Sequence, residues 1–131
     1  MQTVITICDT CRFSEAEKLS PGGETGGALL AALVEEGARE GAEGSVEGGA
    51  VSVRRHSCLM GCERHCNVAL SAPGKLTYVL GRFAPEAEAA AAILDFARQH
   101  AVSDSGQVPF RSWPQGVKGH FVARIPPLPA T

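Results

Sequence analysis

Two periods of apolar residues organise the chain. "TVITIC" (3–8) is a short apolar run rich in β-branched residues, which predicts a buried strand. A polar stretch follows, "DTCRFSEAEKLSPGGETGG", whose Pro21 and neighbouring glycines predict a loop. Leu29, Leu30, Leu33 and Val34 then recur at helical spacing, so "GALLAALVEEGARE" reads as an amphipathic helix. The Gly- and Glu-rich "GAEGSVEGG" reads as the helix end and a flexible loop. In "AVSVRRHSC", Val51 and Val53 alternate with polar neighbours and predict a second strand. "NVALSA" and "LTYVLGRF" are β-prone runs about a Pro73-Gly74 turn, a hairpin signal. Pro85 at a first helical position, with Glu86 and Glu88 in the first turn, opens a second helix. Its stripe of Ala89, Ile93, Phe96 and Ala97 faces the sheet.

The predicted order is β-α-β-β-β-α, an α/β or α+β sandwich of the thioredoxin type. The right-handed crossover rule makes the first two strands parallel neighbours, so their carboxyl ends share one sheet edge. Residues 1–102 form this domain. From Ser103 the character changes to a C-terminal tail, 103–131, read as an extended segment. "SDSGQVPFRSWPQG" predicts a loop carrying Phe110 and Trp113, and "HFVARIPPLP" an apolar strip closed by prolines. Large apolar groups of this kind seek a core or an interface, so the tail is expected to pack on the domain or on a partner subunit. The second case makes a homodimer.

A length of 131 residues suits one hydrophobic core, and 44% apolar with 20% charged residues is ordinary for a globular protein. The net charge of -2 gives no electrostatic case for nucleic acid as a partner. No basic leader opens the chain and no apolar run reaches a bilayer-spanning length, so a cytoplasmic, non-membrane protein is expected.

The cysteines change the picture most. Cys8 and Cys11 form a C-x2-C pair, and Cys58, Cys62 and Cys66 follow in "HSCLMGCERHC" at even spacing. In a reducing compartment such clusters point to metal or redox chemistry rather than structural disulfides, and the odd count of five fits that. Thiolates select zinc, copper(I) or iron–sulfur clusters, and two pairs from separate segments are what a zinc or 2Fe–2S site requires. The predicted strand order brings Cys8 and Cys58 to one edge. Cys58, Cys62 and Cys66 on one helical face could instead hold a 4Fe–4S cluster with one outside ligand. A thiol–disulfide pair at Cys8 and Cys11 is a further reading, although such a pair normally opens a helix directly. His56 and His65 flank the second cluster as potential ligands or hydrogen-bond donors. Arg12, Arg54, Arg55 and Arg64 crowd the same loops, where their charge would lower thiol pKa values. No phosphate loop and no Ser/His/Asp arrangement stands out, so no residue is marked as catalytic.

"ITICDTCR", "CLMGCERHCNVALSAPGKLTYVLGRF" and "VARIPP" together resemble an uncharacterised bacterial family of predicted metal-binding proteins, often encoded beside cobalamin-biosynthesis genes. That family is similar to the thioredoxin-like 2Fe–2S ferredoxins. The resemblance implies a cluster held by a cysteine ending the first strand, one in the next loop and a C-x3-C pair after the second strand. Cys8, Cys58 and Cys62 fall on three of these positions. Cys11 follows Cys8 more closely than the family's loop cysteine does, and Cys66 has no counterpart. The expectation is therefore a ferredoxin-like, single-electron carrier linked to cobalamin metabolism, with an unidentified redox partner protein. Its 2Fe–2S cluster would be bound by Cys8, Cys11, Cys58 and Cys62, with Cys66 in reserve. The alternative is a zinc-binding or metal-carrier protein without redox role.

Overall fold

A computed structural model of the chain describes residues 3–8, 19, 21–43, 51–56, 67–83 and 86–127; within it, the side chains of 40–43 are not described. Strand β1 (Thr3–Cys8) leads through helix α1 (Gly26–Glu43) to β2 (Val51–His56). A hairpin of β3 (Val68–Ser71) and β4 (Thr77–Leu80) precedes helix α2 (Ala87–Val102). A 3-10 turn at Phe110–Ser112 then leads to β5 (Phe121–Ile125). The sheet order is β2-β1-β3-β4-β5. β1 and β2 are parallel, and β3, β4 and β5 add antiparallel. This is the expected β-α-β-β-β-α sandwich of thioredoxin- or ferredoxin-like type, extended by one strand.

Register sorts the side chains, because residues directly opposite on neighbouring strands share a face. Thr3, Ile5 and Ile7 lie level with Val51, Val53 and Arg55. Ile5 and Ile7 also lie opposite Leu70 and Val68 on β3. Leu30 and Val34 of α1, and Ile93, Phe96 and Ala97 of α2, join Ile5, Ile7, Val68, Leu70, Tyr78 and Leu80 in one core. The two helices therefore cover one face of the sheet. They meet closely: a Cβ at Gly37 of α1 would collide with the Leu94 side chain of α2. The other face carries Val4, Thr6 and Cys8 in register with Ser52, Arg54 and His56. It continues through Ala69 and Ser71, Val79 and Thr77, and Ala123 and Ile125.

Two details depart from the sequence expectation. Helix α2 begins at Ala87 rather than at Pro85, because Glu86 is extended (φ -128°, ψ 157°) and serves as the N-cap. The apolar strip after His120 is a paired strand, with Thr77 opposite Ile125 and Val79 opposite Ala123. Its pairing shifts register near Leu80, so Phe121 lies on the helix side while Ala123 and Ile125 lie on the other. The tail is further tied to the body by polar bonds. Trp113 Nε1 donates to the Val108 carbonyl at 2.8 Å, and the Val108 N–H donates to the Tyr78 hydroxyl at 2.9 Å. Val108 and Val117 are buried in the core.

Candidate functional site

The strand directions gather chemistry at one edge of the sheet. β1, β2 and β4 end there, and β3 and β5 begin there, so Cys8, His56, Asn67, Arg82 and His120 share that edge. Cys8 lies level with His56, two residues before Cys58, and its N–H donates to the Asn67 carbonyl at 3.0 Å. Cys8 is 3% exposed. On its face, Arg54 Nε donates to the Thr6 hydroxyl at 2.7 Å and remains exposed. On the helix face, Arg55 makes a two-pronged pair with Glu35 of α1 at 2.7 and 3.0 Å. That hydrogen bond holds the Glu35 carboxyl below the usual carboxylate range. Arg54 and Arg55 thus do different work: one ties β2 to Thr6 of β1, while the other ties α1 to the edge strand.

The metal expectation needs correction. A zinc ion or an iron–sulfur cluster needs three or four converging ligands. Among the described residues, no group of three or more His, Cys, Asp or Glu side chains could hold a metal ion. The 2Fe–2S cluster, the alternative zinc site and the electron-transfer role built on them are therefore set aside. Cys11, Cys58, Cys62 and Cys66, together with Arg12, Arg64 and His65, lie outside the described residues. Thiol–disulfide exchange at Cys8 and Cys11 is set aside as well, because Cys8 is buried and exchange needs an accessible thiolate.

The second concentration of chemistry lies along the tail. Phe110 and Trp113 approach at 5.0 Å between ring centroids, and Trp113 and Phe121 at 5.7 Å. Trp113 also meets Phe96 and Tyr78 edge-on, so its inner side joins the core. The outer side of this group is open, with Phe110 63% and Phe121 44% exposed; Ile125, on the other face of β5, is 51% exposed. Lys118 Nζ stands 5.0 Å over the Phe110 ring, in the range of a cation–π contact. Arg111 and Arg124 are exposed as well. No Asp or Glu follows Asp104 in the sequence given, so Arg111, Lys118 and Arg124 give the last segment a positive sign on an acidic chain.

Sequence reasoning passed over a buried polar network at the opposite edge. His100 is fully buried, with Nδ1 2.7 Å from the Thr3 hydroxyl and Nε2 2.6 Å from the Leu76 carbonyl. A carbonyl only accepts, so Nε2 carries the proton and Nδ1 accepts from Thr3. Lys75, 6% exposed, donates to the carbonyls of Ala101 (2.6 Å) and His100 (3.2 Å) at the end of α2, where a cation also complements the helix dipole. Burial holds the His100 pKa below its usual value, with Lys75 adding to the effect against the raising bond to Leu76. These polar residues are spaced 25 and 97 apart, and no local pattern announces them.

Among the described residues, no helix is long and apolar enough to cross a membrane. No curated protein and no solved structure matches the chain. The link to cobalamin metabolism implied by the resemblance has no support in the matching family, whose description assigns no function. That family model, described as protein of unknown function (DUF1636), matches residues 5–127, and the chain belongs to this family.

Proposed function

We propose that the protein is a binding domain that meets a partner chain along the side of the sheet formed by the 3-10 turn and β5. The observation that carries this reading is the exposure of Phe110 and Phe121 about Trp113, and of Ile125 on the other face of β5, in a segment whose charged residues are Arg111, Lys118 and Arg124. Aromatic groups and arginines are enriched at interfaces, where a desolvated apolar centre sits within a polar rim. Trp113 is placed as the anchor, half-buried and held by its bond to Val108. The partner is either another protein or a second copy, and the latter makes the homodimer anticipated from the tail.

Gel filtration of extracts from the native host tests the proposal. The wild-type chain should elute ahead of a single chain, and the Phe110→Ser/Phe121→Thr double variant at single-chain size. Light scattering of the purified wild type then separates a second copy from another protein. Elution of the wild type as a lone chain in both settings would overturn the reading.

A further inference from the structure

We infer that the free side of β5 receives an extended acidic segment of the partner as a sixth strand. This rests on the binding reading of the same surface and specifies how the partner is held. Among the described residues, β5 is the edge of the sheet beyond β4. An edge strand presents a row of backbone donors and acceptors suited to pairing with another chain. Natural edges are commonly blunted by proline or charge within the strand. Here Pro126 and Pro127 stand only after its end; the register shift lies at its Phe121 end, leaving Ala123 to Ile125 in regular pairing, and its one charge, Arg124, bars a basic strand rather than an acidic one.

The two sides of β5 differ in a way that defines the incoming chain. Ala123 and Ile125 lie on the sheet face without a described helix, next to Val79 and Thr77. Arg124 lies level with Tyr78 on the helix side, with exposed Phe121 on the same side. Side chains of an added strand alternate between these faces. One set would therefore meet Ala123 and Ile125, and apolar residues suit it. The other set would meet Arg124, and carboxylates suit it. A second copy is disfavoured as the occupant, because two segments carrying Arg111, Lys118 and Arg124 without an Asp or Glu would repel. The fitting ligand is thus an extended acidic peptide with apolar residues at alternate positions.

Trp113 is the single tryptophan of the chain, so its emission reports on this surface alone. Full-length protein would be titrated with a short synthetic peptide alternating glutamate and valine. Two control peptides would carry lysine in place of glutamate, or N-methyl groups on alternate amides. The acidic peptide should shift Trp113 emission saturably and slow amide exchange in β5. Lysine substitution, N-methylation or Arg124→Glu should each weaken binding by about tenfold or more. Equal binding of the N-methylated peptide would overturn strand addition, and equal binding of the lysine peptide would overturn the acidic assignment. A silent acidic peptide, with the wild type still eluting as a complex, would overturn this inference and leave the binding reading standing. Elution of the wild type as a lone chain would remove both.

Discussion

His100 holds its ring between the Thr3 hydroxyl and the Leu76 carbonyl, and that arrangement needs a neutral imidazole. Burial favours the same form, so its pKa in the fold lies below the value of about 6.5 expected when unfolded. The unfolded chain then binds the proton more readily. Stability from this residue is complete above about pH 6.5 and is lost as pH falls toward the folded pKa. Melting temperature should therefore drop on acidification through that window, and His100→Gln should flatten the slope. An unchanged slope in the variant would show that His100 does not contribute. Lys75 supports the same corner, and Lys75→Met should cost about 1–3 kcal/mol by leaving α2 carbonyls without their buried donor. Chemical denaturation would measure it.

Cys8 makes a second case at this scale. A chain with Cys11, Cys58, Cys62 and Cys66 changed to Ser keeps Cys8 as its one thiol. Native Cys8 should react with a thiol reagent at least about a hundredfold more slowly than in denaturant, since only opening of the fold exposes it. Equal rates would contradict its burial.

Among the elements, those with a regular apolar period were legible and those that depend on distant partners were not. Thr3–Cys8 and Val51–His56 announce themselves by β-branched runs, and the Pro73-Gly74 turn marks the hairpin, where Gly74 has φ +75°. Helix α2 reads through Ile93, Phe96 and Ala97, although its start lies two residues beyond Pro85 because Glu86 stays extended. β5 was hidden. "FVARI" has no clean alternation, since its register shift changes the side on which residues fall, and prolines follow at once. Only β4, forty residues earlier, supplies its template. The thiol edge was half legible: parallel pairing of β1 and β2 follows from the crossover rule, and Cys8 does lie level with His56. The ligand cluster inferred from cysteine spacing was not found among the described residues, of which Cys8 is the one cysteine; Cys11, Cys58, Cys62 and Cys66 lie outside them. Trp113→Ala tests how firmly the tail belongs to the domain. Losing contacts to Phe96, Tyr78 and Phe121 should destabilise the protein by about 2 kcal/mol, read as a lower denaturation midpoint.

At the scale of the molecule, two helices cover one sheet face while the β5 side keeps exposed aromatic groups and an excess of cations. An acidic body with a basic, apolar side is a charge arrangement suited to steering one orientation of approach. Contact along that side is the central claim, and site-specific photocrosslinking in the native host addresses it most directly. A photoreactive phenylalanine analogue would replace Phe110 in one variant and Ala32, exposed on α1, in another. Binding along the β5 side predicts a discrete crosslinked product from position 110 and none from position 32. No product at position 110, or the same products at both positions, would contradict it.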